Sequence, residues 1–372
     1  MKRVKILLVA MMVLPIAFWG CHNKQDVIKI GCLTPLTGQN NVGEYGKMAK
    51  LGIDFAVSEF NKNSGTKFEI IYEDTKLDAK TSVSAMNKLV FQKVPAIIGP
   101  FGSNETMAIA KIANDNKIVL LGASAAADSI KYAGDYIFRI VSNNSMQGKA
   151  IAEYAYNKLN KKTAAIFYLN NDYGISLKNS IEQVFTSLGG EIVFVEGSDA
   201  GNINFTASIT KLKKQKIDVI FFTLQDESKV FLKRLSENGF DNIDKLTGDG
   251  AKLNVVIEDA GNAVKNCYFF SFGLNINNEL YKNFESRFKK QHGYYPDTYT
   301  SYYYDATMLL LTVINGNKDI TGENIKNHLY LINKDNPFKG ITGDTFFDDY
   351  GEVDKDFSVF QVINNEFKLK EL

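Results

Sequence analysis

Ala96-Ile97-Ile98-Gly99-Pro100-Phe101-Gly102-Ser103-Asn104-Glu105-Thr106 carries a short β-branched run through a glycine-rich turn into a helical pattern that continues to Asn116. A strand that ends in such a turn and restarts as a helix is the repeating unit of an open α/β sheet, and ligands bind such sheets in the loops beyond the strand C-termini. Ser103 stands where an N-cap is expected, and the free amides and dipole of a helix start can hold a carboxylate. A serine that only caps its own helix has the same local sequence. The next strand pattern, Ile118–Leu121, runs into Gly122-Ala123-Ser124-Ala125-Ala126-Ala127-Asp128. Small side chains there let a ligand approach the backbone closely, although tight turns use the same residues.

Outward from this unit the alternation continues. Strand patterns occupy Ile28–Leu33, Phe68–Tyr72, Ala164–Tyr168, Glu191–Val195, Val219–Phe222 and Cys267–Phe270. Helical patterns lie between them. In Met48-Leu51-Ile53-Phe55-Ala56-Phe60 apolar residues recur at helical spacing, and similar stretches follow at Thr81–Gln92, Met146–Leu159, Ile175–Leu188, Phe205–Lys214 and Lys229–Asn238. The class is α/β, with parallel-rich sheets covered by helices on both faces and joined by right-handed crossovers. The series occurs twice. One run ends at Tyr136-Ile137-Phe138-Arg139, and a second starts with the helix from Met146, which predicts two Rossmann-like lobes with a cleft between them. Tyr294, Tyr295, Tyr299, Tyr302, Tyr303 and Tyr304 precede a helix over Ala306–Ile314 and are read as packing or surface residues.

The N-terminus reads as an export signal. Met1-Lys2-Arg3-Val4-Lys5 is cationic, Ile6 to Trp19 is apolar and too short for a stable membrane span, and Gly20-Cys21 closes it. Cys21 after that core resembles a bacterial lipobox, with a polar spacer over 21–26. Residues 1–20 are then a signal peptide, and Cys21 is the lipidated end of an exported, membrane-anchored chain that faces the periplasm or the cell exterior. Residues 21–372 have room for two domains. The formal charge of the whole chain is +1, and loss of Lys2, Arg3 and Lys5 makes it −2, so no basic excess points to nucleic acid.

Enzyme chemistry finds little support. Gly43-Glu44-Tyr45-Gly46-Lys47 lacks phosphate-loop spacing, and Gly122-Ala123-Ser124-Ala125-Ala126 lacks the last glycine of a nucleophile elbow. His292 and His328 lie in no triad context. Glu73-Asp74 and Asp348-Asp349 are sequence neighbours whose side chains diverge in extended backbone. Three histidines and no Cys-x-x-Cys argue against zinc, and no cofactor is expected. Cys32 and Cys267 each sit in an apolar, strand-like run. An oxidising compartment permits a disulfide between them, and their spacing does not decide between that and two buried free thiols.

From Ile28 to about Phe367 the chain resembles type I periplasmic binding proteins of the leucine/isoleucine/valine-binding family, the solute receptors of branched-chain amino-acid ABC importers. The matching pieces arrive in family order: Ile28-Lys29-Ile30-Gly31, Pro35-Leu36-Thr37-Gly38, Glu44-Tyr45-Gly46, Glu73-Asp74-Thr75, Ile97-Ile98-Gly99-Pro100 and Phe138-Arg139. Asn171-Asp172-Tyr173-Gly174, Asp199 with Asn204-Phe205-Thr206, Gly248-Asp249-Gly250, Tyr303-Tyr304-Asp305-Ala306 and Gly340-Ile341-Thr342-Gly343-Asp344 complete the series.

The resemblance implies three crossings between lobes, near Val141, Phe272 and Lys339. Lobe one then takes residues 27–141 and 273–339, and lobe two takes 142–272 and 340–372. It also implies roles. Ser103 and the Ser124–Ala126 loop match positions that bind a ligand α-carboxylate, and the carbonyl at Ser124 accepts from the α-ammonium. Asp249 matches the acidic partner of that ammonium on the facing lobe. Tyr45 and Tyr173 match aromatic residues that line and close the site. Ala126 stands where the family commonly has Thr, and Gln225 where an aromatic residue often completes the side-chain pocket. The implied partners are an amino acid or related small polar solute, an ABC permease and, through Cys21, a membrane. A ligand-sensing module for a signalling partner and an α/β enzyme are the alternative readings.

Overall fold

The computed structural model describes residues 27–370. The signal segment 1–20, Cys21 and the spacer 21–26 lie outside the described residues. The chain begins with β1 (Val27–Thr34), α1 (Val42–Asn63), β2 (Lys67–Asp74), α2 (Ala79–Phe91), β3 (Ala96–Ile98), α3 (Ser103–Asp115), β4 (Val119–Gly122) and β5 (Ile137–Arg139). These strands form one all-parallel sheet in the order β2-β1-β3-β4-β5.

A second series follows: α4 (Asn144–Glu153), β6 (Thr163–Leu169), α5 (Asp172–Ser187), β7 (Glu191–Ser198), α6 (Thr206–Leu212), β8 (Val219–Thr223), α7 (Ser228–Glu237), β9 (Asp244–Thr247), α8 (Asn254–Ala260) and β10 (Cys267–Phe272). Its parallel strands lie in the order β7-β6-β8-β9-β10, the same winding as the first sheet. The twofold pattern of the sequence is thus two lobes wound alike. In each, the winding reverses direction between the first and third strands, which is where open α/β sheets place ligands.

The rest of the chain returns to both sheets. α9 (Glu279–His292), α10 (Thr298–Asn315) and α11 (Gly322–Tyr330) come first, and α10 packs along α1. A short ribbon of β11 (Phe338–Gly340) and β12 (Gly343–Thr345) follows, and then β13 (Phe357–Ile363) and β14 (Glu366–Lys370) extend the second sheet antiparallel beside β10. Glu366, Lys368 and Lys370 place charge on that outer strand, which discourages pairing with another chain.

Burial follows periodicity. In α1 the buried residues Tyr45, Ala49, Gly52, Ile53 and Ala56 form one helical stripe. Gly52 is required where α1 meets α10, because a Cβ there would lie 2.2 Å from the Thr300 carbonyl oxygen. β8 and β10 are buried along their whole length and read as continuous apolar runs. Each fully buried Phe or Leu in such strands stabilises the fold by about 1.5–3 kcal/mol. Cys32 in β1 and Cys267 in β10 belong to different sheets and are buried free thiols. Burial pushes the Cys267 thiol up to about 12 and Cys32 higher still, so both stay protonated.

One expected element differs in a way that matters. The helix read from Ala306 begins at Thr298, because Asp297 caps it by accepting from the Thr300 amide at 2.9 Å. The tyrosines from Tyr299 to Tyr304 therefore lie inside α10, all buried, while Tyr294 and Tyr295 are exposed.

Candidate functional site

The loops after β1, β3 and β4 face those after β6, β8 and β9. Asp249 follows β9 and is buried, with 2% of its surface exposed. Its Oδ2 accepts from the Tyr299 hydroxyl at 2.8 Å, and its Oδ1 accepts from the Tyr173 hydroxyl at 3.3 Å. The Tyr173 oxygen in turn accepts from the Gly250 amide at 3.1 Å. From α1 the Tyr45 hydroxyl donates to the Gly250 carbonyl at 2.5 Å, so residues of both series meet around one carboxylate. The flanking glycines are steric requirements. A Cβ at Gly248 would lie 2.7 Å from the Tyr173 hydroxyl, and one at Gly250 would lie 3.0 Å from its ring.

Burial raises the Asp249 carboxyl from 3.8 to about 6, against the opposing effect of its hydroxyl donors. Among the described residues no Lys or Arg forms an ion pair with it. An ionised carboxylate removed from water without a countercharge is costly, and it favours a cation that can enter.

A second group lies on the first sheet. Ser103 is the first residue of α3, one place beyond its Gly102 N-cap, and its Oγ accepts from the amides of Ala126 at 3.2 Å and Ala127 at 3.0 Å. The Ala126 amide, expected to face a ligand, is thus engaged by Ser103. The Ser103 hydroxyl keeps its own hydrogen to donate. Ser124 Oγ donates to the Phe101 carbonyl at 2.7 Å and is 2.9 Å from the Tyr303 hydroxyl. Arg139 holds this turn from below, donating to the carbonyls of Ala125 at 3.3 Å and Ala127 at 2.9 Å while pairing with the buried Glu352 carboxylate. Glu105, also buried, accepts from the Gly102 amide at 2.5 Å and Ser82 Oγ at 3.0 Å, and burial lifts its carboxyl to about 7.

Rings join the two groups. Phe101 lies 5.0 Å from Tyr45, 5.0 Å from Tyr299 and 5.8 Å from Tyr303, nearly parallel to the last. The structure therefore brings Tyr173 into direct contact with Asp249 and Tyr45 onto the adjoining Gly250, and links Ser103, Ser124 and Ala126 to them through Phe101, Tyr299 and Tyr303. Those last three were not read from the sequence as site residues. The available signal was the Asp297–Thr300 cap together with the spacing of four between Tyr299 and Tyr303, which puts both on one helical face. Gln225 does not join the cluster. It sits with Asn171, amide to amide at 3.5 Å, in a cavity of about 390 Å³ also bordered by Tyr45 and Glu227. A larger cavity of about 990 Å³ near Gly273, Thr342 and Lys355 includes none of the expected site residues.

Three sets of hydrogen bonds lie near Val141, Phe272 and Lys339. Ser142 Oγ donates to the Lys355 carbonyl at 2.7 Å, the Gly273 amide donates to the Asp356 carbonyl at 2.8 Å, and Asp305 accepts from the amides of Ile341 and Thr342, each at 2.9 Å. Among the described residues no group of three or more His, Cys, Asp or Glu is arranged to hold a metal ion, and no helix is long and apolar enough to cross a membrane.

The buried anion, the facing hydroxyls and the paired sheets are the architecture of a solute receptor, and comparison with known proteins agrees. The chain is 27% identical to the leucine-binding protein LivK of Thermotoga maritima, covering 92% of this chain and 98% of that one at a TM-score of 0.87. It is also 27% identical, with a TM-score of 0.84 and the same coverage, to LivJ of Streptococcus pneumoniae, solved with isoleucine. The Leu/Ile/Val-binding protein homolog 1 of Brucella abortus is 26% identical over 348 residues, 91% of this chain and 90% of its own. The sequence profile of the periplasmic binding protein family matches residues 27–366, and its members are solute-binding proteins rather than enzymes. The chain belongs to the periplasmic binding protein family.

Proposed function

We propose that this receptor captures the zwitterionic end of an α-amino acid between its lobes and presents it to an ABC permease. The observation that carries the reading is Asp249, a buried carboxylate with no cation partner among the described residues, held by Tyr173 and Tyr299 and flanked by Tyr45 from the facing lobe. An α-ammonium supplies the missing charge, and the surrounding rings favour it further. Ser103 takes the α-carboxylate with the hydrogen its hydroxyl keeps, beside the Ser124–Ala126 turn that Arg139 holds in place. Relatives named for leucine, isoleucine and valine support an amino-acid ligand.

In this reading lobe one comprises 27–141 and 273–339, lobe two comprises 142–272 and 340–372, and the crossings near Val141, Phe272 and Lys339 act as the hinge. Hinge closure around a ligand is a mode already established for periplasmic binding proteins. The family is periplasmic, so the protein works outside the cytoplasm. We place its attachment to the membrane at a lipidated Cys21.

Calorimetry of the mature chain with the common α-amino acids tests the site, and solution scattering tests closure. One ligand per chain and a smaller radius of gyration on saturation are expected. No measurable binding to any α-amino acid overturns the reading.

A further inference from the structure

The cavity at the cleft mouth differs from the ring-lined floor. Its lining mixes apolar surface, from Val42, Leu77, Ala200 and the Tyr45 ring, with polar groups: Gln39 and Asn104 on one side, and Asn171, Gln225 and Glu227 on the other. A branched alkyl group placed there would leave these polar groups without partners.

Glu227 is the informative residue. It is 5% exposed, its Oε1 accepts from the Gly201 amide at 2.7 Å, and its Oε2 has no hydrogen-bond partner among the described residues. Its neighbour Asp226 is already satisfied, by Lys229 Nζ at 2.9 Å and the Asn41 amide at 3.3 Å. That cation is shared with Asp259, and Glu227 has no ion pair among the described residues. A carboxylate that only tied down Gly201 would need one oxygen. Burial raises the Glu227 carboxyl, backbone amides including that of Gly201 oppose the rise, and the nearby Asp226 charge adds to it, so a further donor would relieve the burial. Tyr45 borders this cavity and also bonds to Gly250 beside Asp249, so the two places lie on either side of one residue.

We propose that the cleft mouth is a second recognition subsite, in which Glu227 Oε2 and the Gln225 amide take a nitrogen-bearing hydrogen-bond donor at the far end of the ligand. This rests on the amino-acid reading above and narrows it. The preferred ligand carries an amide, ammonium or guanidinium terminus in place of a branched alkyl one.

The test is calorimetry of the mature chain with glutamine, arginine and leucine as probes. Glutamine or arginine is expected to bind at least tenfold more tightly than leucine, and the better of the two shows whether the donor is neutral or cationic. Glu227→Gln keeps an oxygen for the Gly201 amide, and thermal melting checks that it folds. It should weaken the preferred probe at least tenfold and leave leucine within about twofold. Gln225→Leu, a second variant that adds no charge, should shift preference toward leucine. Tighter binding of leucine by the unaltered chain, or equal losses for all three probes in Glu227→Gln, overturns the subsite while leaving the zwitterion site standing. Binding of none of the three, nor of any other α-amino acid, overturns both.

Discussion

Asp249→Asn keeps the size of the side chain and removes its charge, and it should improve stability while destroying function. Burial raises this carboxyl from 3.8 to about 6. An acid with a raised pKa binds its proton more tightly in the folded chain than in the unfolded one. Its unfavourable contribution is absent below about pH 4, grows as pH climbs to about 6, and persists at higher pH. A shift of about two units is worth ~3 kcal/mol at about 1.36 kcal/mol per unit. Parting of the lobes would admit water and reduce that, so about 1–3 kcal/mol is the expected gain for the variant at pH 7.5. Amino-acid binding moves the other way. An ammonium left facing a neutral amide loses a desolvated charge pair, about 3–5 kcal/mol or at least a hundredfold in affinity. Urea unfolding at pH 4 and 7.5, without added amino acid, measures the first effect, and calorimetry measures the second. The unaltered chain should lose stability between the two pH values relative to the variant. A variant that is less stable at pH 7.5 and binds amino acids with full affinity would refute the reasoning on both counts.

Arg139→Met should destabilise the fold by about 3–5 kcal/mol, because it strands the buried Glu352 carboxylate and frees the turn at Ala125–Ala127. Chemical denaturation checks this, and the double variant Arg139→Met, Glu352→Leu should recover most of the loss. Gly52→Ala should cost about 1–3 kcal/mol by forcing α1 away from Thr300, read as a lower melting temperature. Cys21→Ala should release the protein from washed membranes with ligand affinity unchanged; persistence in the membrane fraction would remove the anchor at Cys21.

Parallel strands and their helices were legible because their signals are local. β8 is a continuous buried run, α1 has one apolar stripe, and both periodicities are written in consecutive residues. β11 to β14 were not read. Three of those strands are too short or too polar to carry a periodic signal, and β13 is fixed by antiparallel pairing with β10, far off in the sequence. The same division holds in the site. Asp249 and Ser103 stand out through their glycine-flanked turns. Tyr299 and Tyr303 were passed over as packing, because a run of tyrosines does not say which ring faces a carboxylate that follows a strand of the other lobe. Ala126 stands out in its sequence context, but the bond from its amide to Ser103 becomes visible only in the folded turn.

The seat of α10 on α1 also sets an order of assembly. The Ala49, Ile53 and Ala56 stripe of α1 finds its cover in a helix about 250 residues later, a delay of about 10–50 s at about 5–20 residues per second of synthesis. Until then the nascent chain carries an unmatched sticky surface, and its binding floor lacks Tyr299 and Tyr303. A chain cut short after β10 would therefore hold every strand of the first sheet and still be unable to complete its pocket. For an exported protein this delay is useful. A polypeptide that cannot finish its first lobe early stays loose enough to be threaded across a membrane before it closes.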